Sequence, residues 1–277
     1  MSGNSSKERL TAKARRFGFY SPLLFAFSLA LVLPSAKPAQ ASSLISELVR
    51  KINRNFEGFP GIKAYLELEL SQPGIPPYHS FAQIAFRQQG KQLYFKTFSP
   101  LTPHYFTLIA KEGVFWLQIP KAKTIYTGPQ KAIGQESFEL KITPQDFQKL
   151  IFPNPVDHRS KDVRIVDEPG QWVIQLLGHV HTKTFKEREL AIQKQSFRVV
   201  KEIRYSIDGK PFLEIRWENF GSQAGDFSFP GLITLFKPST GYLLRLRLKK
   251  WEVTDQLPEK LFELAGTEGY RVEKISA

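Results

Sequence analysis

No cysteine occurs anywhere in the chain. That excludes a disulfide framework, a thiolate metal site and a thiol nucleophile. It also excludes an acylated membrane anchor, which needs a cysteine at its cleavage point. A long apolar run is missing too. The clean apolar core, Leu23–Leu33, holds 11 residues, against about 20 for a helix that crosses a bilayer. Catalytic punctuation is absent: no Gly-x-Ser-x-Gly elbow, no His-Glu-x-x-His and no glycine-rich phosphate loop. No catalytic residue, no metal and no cofactor is therefore expected, and the chain reads as a non-enzyme.

What is present begins at the N-terminus. Lys7, Arg9, Lys13, Arg15 and Arg16 form a basic region ahead of Leu23–Leu33. Pro34 breaks the apolar core, and Ala39-Gln40-Ala41 supplies a small-x-small cleavage pattern. These are the three parts of a secretory signal peptide, residues 1–41, with cleavage near Ala41 expected and retention as a membrane anchor the alternative. The remaining chain, 42–277, is expected to work outside the cytoplasm as a single domain. There it meets no ATP, no NADH and little nucleic acid, and nucleic acid is not an expected partner.

The full chain carries a formal charge of +13, and removal of the signal segment leaves +8. An exported basic protein has an anionic membrane surface as a candidate partner. Stability without disulfides must come from a packed core, which 23 Phe, 9 Tyr and 4 Trp can build.

The pattern along the chain is one helix, then strands. Ser42–Phe56 reads as an amphipathic helix capped by Ser43, with Leu44, Ile45, Leu48, Val49, Ile52 and Phe56 on one broad face. Ile62–Leu70 alternates strictly, with Ile62, Ala64, Leu66, Leu68 and Leu70 opposed by Lys63, Tyr65, Glu67 and Glu69. Strands follow at 78–88, 93–98, 105–110, 114–119 and 124–126. Thr143-Pro144 starts a mid-chain helix, with Phe147, Leu150 and Ile151 on one face. A second run of strands spans 163–167, 172–177, 183–192, 197–207, 212–220, 231–236 and 243–253, and a helical piece at 258–264 closes the pattern. Short connections predict an antiparallel sheet. Long twisted strands in this number curl into an unclosed half-barrel, so the expected fold class is mainly β with α, the helices covering the concave face.

This order, together with Trp116–Gly128 (WLQIPKAKTIYTG), Phe229–Leu235 (FPGLITL) and Leu257–Leu264 (LPEKLFEL), resembles the LolA/LolB-like outer-membrane lipoprotein-sorting proteins. The resemblance implies an unclosed β-barrel with helices as a lid over a hydrophobic cavity that takes acyl chains. Lacking the acylated cysteine of the receptor branch, the chain looks more like the soluble periplasmic carriers. The implied partners are lipoprotein acyl chains or another lipid, together with an inner- or outer-membrane transfer partner, and the expected state is a monomer. A sensor of the same fold and an exported β-rich hydrolase are the alternatives.

On that resemblance the cavity-lining candidates are Leu66, Leu68, Phe86, Phe95, Phe106, Leu108, Trp116, Trp172 and Ile174. The lid candidates are Leu48, Ile52, Phe147, Leu150 and Ile151. Burying a C16 chain gains roughly 13 kcal/mol gross, at about 0.8 kcal/mol per methylene. Phe147→Glu or Leu150→Glu is expected to reduce lipid binding and leave the fold intact. His179 and His181 read as solvated or hydrogen-bonded side chains, and Glu67/Glu69 as the wet face of a strand. The basic run Arg245, Arg247, Lys249 and Lys250 is a solvated face that could also meet lipid headgroups.

Overall fold

Strict alternation drives the architecture. A computed structural model describes residues 38–54, 60–99, 106–132, 150–151, 162–221 and 228–276. One helix, α1 (Pro38–Arg54), precedes fourteen strands. The first meander is β1 (Gly61–Gln72), β2 (Ile75–Arg87), β3 (Gln92–Phe98), β4 (Phe106–Lys111), β5 (Val114–Ile119) and β6 (Thr124–Pro129). The second is β7 (Asp162–Glu168), β8 (Gln171–Val180), β9 (Lys183–Gln193), β10 (Val199–Tyr205), β11 (Pro211–Phe220), β12 (Pro230–Lys237) and β13 (Tyr242–Val253), with β14 (Arg271–Lys274) last.

All fourteen form one sheet in the order β14-β6-β5-β4-β3-β2-β1-β13-β12-β11-β10-β9-β8-β7. Each meander is sequential, and the two are joined where β1 pairs with β13. Among the described residues β7 and β14 end the sheet without pairing to each other, so the barrel is unclosed. Every pair is antiparallel except β14 with β6, which is parallel. The short connections that predict antiparallel pairing say nothing of β14, which reaches β6 from the far end of the chain. Gly128 admits it: a Cβ there would lie 2.3 Å from the Ile275 carbonyl oxygen.

The inward set of β1 (Ile62, Ala64, Leu66, Leu68) sits opposite Phe86, Ile84, Ala82 and Ser80 of β2 on one side. On the other it meets Val253, Trp251, Leu248 and Leu246 of β13. Directly opposed residues point to the same face of a sheet, and these sets merge into one apolar core on the concave face. The wet face behaves as its alternation predicts. Arg245 lies 2.9 Å from Glu69, Lys249 lies 2.9 Å from Glu67, and Arg247 lies 3.7 Å from Glu67. Three of the four cations of the β13 run thus share the two acids of β1, Glu67 and Glu69.

Two boundaries differ from the sequence reading. Helix α1 begins at Pro38, so Ser43 lies inside it and is not its cap, and it ends at Arg54. The closing helical piece is a short 3-10 turn, Glu259–Phe262. The signal segment up to Lys37, the helix start at Thr143-Pro144 and the side chains of Leu44, Phe56 and Phe147 lie outside the described residues.

That 3-10 turn belongs to a C-terminal strap on the convex face. Leu257 and Phe262 bury against Ala85 and Ile109, with Tyr94 and Trp116 packed around them. Glu259 fastens it, with its carboxylate 2.5 Å from Lys111 Nζ and 2.6 Å from Arg87 Nη1. Arg87 also donates to the Leu257 carbonyl. Hydrogen bonds from Lys111, then from Arg87, bring the Glu259 carboxyl down from 4.5 to about 2. A lowered carboxyl contributes stability above its unfolded value and loses it as pH falls through the folded one. Amide protection at Arg271 and Ile275, whose N–H groups donate to Lys123 and Thr127, should therefore drop relative to the central strands between pH 4.5 and 2. Glu259→Gln should remove that pH dependence. Equal relative protection at both pH values, measured by hydrogen exchange, would refute this role of Glu259.

Candidate functional site

The concave face is the natural site, because it gathers the larger apolar cluster among the described residues and two separate segments pack on it. Helix α1 turns Leu48, Val49 and Ile52 into the core. Its outer side carries the i,i+4 pair Glu47–Lys51 at 3.0 Å. Leu150 and Ile151 are helical and buried in the same cluster.

A directional hydrogen bond holds this second cover. Trp217 of β11 lies at 2 % exposure on the concave face, and its Nε1–H donates to the Leu150 carbonyl oxygen at 2.7 Å. Trp217 is directly opposite Ile233 of β12, so the bond ties the mid-chain segment to the middle of the second meander.

Seven of the nine expected lining residues are buried in this one cluster: Leu66, Leu68, Phe86, Phe95, Phe106, Leu108 and Ile174. Phe95 and Phe106 stack with ring centroids 5.6 Å apart. Trp172 is only partly buried, at the cluster's margin, stacked 5.3 Å from Phe197. The cation of Lys51 on α1 lies 4.7 Å from the same Phe197 ring. Trp116 is placed differently from its expected position. It pairs with Ile109, faces the convex side, and packs under the strap. The strap makes β4 and β5 apolar on both faces, so an aromatic residue there no longer marks the inward side. Phe115 and Leu117 hold the inward positions of β5 instead. Of the lid candidates, Leu48, Ile52, Leu150 and Ile151 all lie in the core.

Among the described residues this face is tightly packed. A void lined by Ile62, Leu66, Ile84, Ile151, Phe229 and Leu246 has a volume of about 10 Å³, room for about one water molecule. Leu48, Val49 and Ile52 of α1, with Leu150 and Ile151, pack directly on this apolar face.

The second meander supplies lining residues that the sequence reading missed. They include Leu213, Ile215 and Trp217 of β11, Ile233 and Leu235 of β12, and Leu244 and Leu246 of β13. Alternation over 213–217 was the available signal. One charged group is also buried here. Glu202 of β10, at 1 % exposure, accepts from Arg188 Nη2 at 2.7 Å and from Arg204 Nε at 2.6 Å. Burial acts to raise its carboxyl, and the attraction of Arg188 and Arg204, with their hydrogen bonds, outweighs it, so the carboxyl lies below the ordinary range.

The histidine pair is not a convergent site. His179 shares its ring nitrogens with Asp162 at 3.0 Å and Thr184 at 3.1 Å, and His181 occupies the β8–β9 turn with φ 55°.

No protein-family profile and no curated protein matches the sequence. Solved structures do match the fold. A LolA superfamily protein from Nitrosomonas europaea superposes with a TM-score of 0.56 at 16% identity, over 79% of this chain and 97% of that one. A protein from Vibrio parahaemolyticus, described as an outer membrane lipoprotein-sorting protein domain, gives 0.59 at 12% identity, over 78% and 94%. A DUF1329 family protein from Desulfovibrio piger gives 0.60 at 10% identity, over 82% and 98%. The chain has the fold of the LolA superfamily: a large unclosed sheet with helical cover on its concave face.

Proposed function

We propose that this chain is an exported, periplasmic lipid carrier that takes the acyl chains of a lipid or lipoprotein onto its concave face. The observation that carries the reading is the covered apolar face. A continuous apolar surface spans both meanders, and what covers it is one helix and a short segment tied down by the Trp217–Leu150 hydrogen bond. Acyl chains offer the same apolar contact as Leu48, Ile52, Leu150 and Ile151, so ligand and cover exchange places at small net cost. That suits a protein that must both hold and release its cargo. The lipoprotein-sorting description of the Vibrio relative points the same way. No chemical step is part of this reading.

Transfer needs a contact edge. The β1–β2 turn exposes Ile75 and the β10–β11 turn exposes Ile207 and Phe212, beside Lys210. By the strand order both turns lie at the same end of the sheet. Exposed apolar tips at one end of the sheet fit insertion into a bilayer surface, and Lys210, paired with Asp208 at 3.2 Å, stands beside one of them.

The test is native mass spectrometry with lipid extraction on protein purified from its own periplasm, followed by flotation with anionic and with zwitterionic vesicles. A co-purifying acylated species is the expected result, with preferential flotation on anionic vesicles. A clean apo mass with no uptake of added lipid or lipopeptide would defeat the carrier reading. A stable complex with another protein and no lipid exchange would favour the sensor alternative.

A further inference from the structure

We infer that the convex face of the sheet docks an acidic, extended segment of a partner protein across strands β3, β2, β1 and β13. The floor of this site is one row of side chains in matched register, on the outward side of β1. Lys96 of β3 lies opposite Gln83 of β2, Gln83 opposite Tyr65 of β1, and Tyr65 opposite Lys250 of β13. In the neighbouring row Phe98 lies opposite Phe81, and Phe81 opposite Glu67. The Phe81 and Phe98 rings stack with centroids 6.1 Å apart. Tyr65 is 42% exposed and Phe81 39%, so neither serves the core.

The row is cationic at both ends. Glu67 and Glu69 are taken by Arg245, Arg247 and Lys249, while Lys96 and Lys250 form no ion pair among the described residues. Glu252, further along β13, sits opposite Lys63, and those two add no net charge. Lys96 and the four cations of the β13 run thus outnumber Glu67 and Glu69 by three. Exposed aromatic rings beside unmatched cations suit an acidic protein segment that carries an aromatic anchor. The border of the row argues against a bilayer. Thr107 and Gln118 continue it beyond Lys96, and Gln118 Nε2 donates to the Ala265 and Gly266 carbonyls of the strap at 3.4 and 3.2 Å. The strap stands on the sheet there. A flat bilayer would meet this raised edge before the row, whereas a peptide can lie against it.

Spacing sets the sequence of the partner. Three strand separations of about 4.8 Å put the backbones at Lys96 and Lys250 roughly 14 Å apart. An extended peptide advances about 3.4 Å per residue, so two acids four residues apart match that span. Residues i, i+2 and i+4 of such a segment point to one side. An acid-x-aromatic-x-acid sequence therefore offers its carboxylates to Lys96 and Lys250 and its ring to the floor between them, at Tyr65 and Gln83 beside Phe81. The segment crosses the strands and uses no sheet edge. The apolar groove lies on the opposite face, so cargo and partner do not compete for one surface, and the inference stands apart from the carrier reading.

The experiment is an NMR titration of the isotopically labelled full exported chain with the capped peptide Glu-Ser-Phe-Ser-Glu, without lipid. Amide shifts are expected at Lys96, Gln83, Tyr65 and Lys250 and not at the concave residues Ile215 and Trp217. The acidic peptide should bind roughly tenfold more tightly than Lys-Ser-Phe-Ser-Lys, as two exposed charge contacts imply, and added salt should weaken it. Lys96→Glu/Lys250→Glu should lose the acidic peptide and gain the basic one, a reversal that an unfolded variant cannot give. No shifts, shifts centred elsewhere, equal binding of both peptides, or a preference unchanged in the charge-reversed variant overturns the inference. So does flotation on anionic vesicles that the charge-reversed variant loses while the peptide produces no shifts, which would assign this face to a membrane. None of these results bears on lipid uptake by the concave face, so the carrier reading stands or falls separately.

Discussion

Glu202→Leu alone will lower the stability of the protein by about 3–5 kcal/mol, the usual cost of leaving buried charges without their partner. For a domain of this size that is a fall in Tm of roughly 6–20 °C. The loss comes from what stays behind. Arg188 and Arg204, 12% and 18% exposed, would face each other across β9 and β10 with no carboxylate between them. Removing all three charges in Arg188→Met/Glu202→Leu/Arg204→Met should return the Tm to the wild-type value or above it, because apolar side chains fit a surface lined by Leu176, Leu190, Leu213 and Ile215. Thermal melts of the two variants decide the matter. A single variant as stable as wild type would mean that water already solvates the arginines and that the cluster is not a low-dielectric site.

The same comparison has a pH signature. The Glu202 carboxyl is held below its ordinary range. Its contribution is therefore present above the unfolded carboxylate value of about 4.3 and is lost as pH falls through the folded value. Wild type should lose Tm relative to the triple variant only on the acid side of pH 4.3, and the two melting curves should run parallel above it.

Why the lining of the first meander was legible and this cluster was not follows from the backbone. In β1, Ile62, Ala64, Leu66 and Leu68 alternate with polar residues without interruption over the inward stretch, and the partner registers carry that phase into β2, β3 and β4. In β10 a register shift falls between Val199 and Lys201. It reverses the phase, so Glu202 and Arg204 turn inward while Ile203 turns outward, against what hydrophobic alternation indicates. Trp116 misled for a different reason. The strap covers the convex face of β4 and β5, and a strand buried on both sides carries no period-two signal. β14 was invisible because Arg271–Lys274 is four residues long, mostly charged, and pairs with a strand more than 140 residues away. The lid candidates Leu48, Ile52, Leu150 and Ile151 stood out because helical periodicity needs only local sequence. That they fill the groove needed the partner surface to be seen.

Trp217→Phe should speed uptake of an acyl ligand about fivefold to a hundredfold. The substitution keeps an aromatic ring in the concave core and removes the one donor that Nε1–H supplies to the Leu150 carbonyl at 2.7 Å. A buried acceptor that loses its partner costs about 1–3 kcal/mol. That cost falls on the closed arrangement and not on the open one, where water meets the carbonyl. Ligand affinity measured for a protein whose competent form is a minority rises with the population of that form, so the variant should also bind more tightly at equilibrium. Leu150→Glu acts on the same equilibrium more strongly. Leu150 is completely buried, and a carboxylate in its place must either lose its charge or pull the segment off the sheet. The expectation from the sequence, weaker binding with the fold intact, thus changes: the closed form is the casualty, uptake accelerates, and retention shortens because the cover no longer seats over the bound chain. Stopped-flow fluorescence with an environment-sensitive fatty-acyl probe separates the two rates. Uptake and release unchanged in both variants would show that the mid-chain segment is fixed core and that cargo, if it enters, displaces α1 alone.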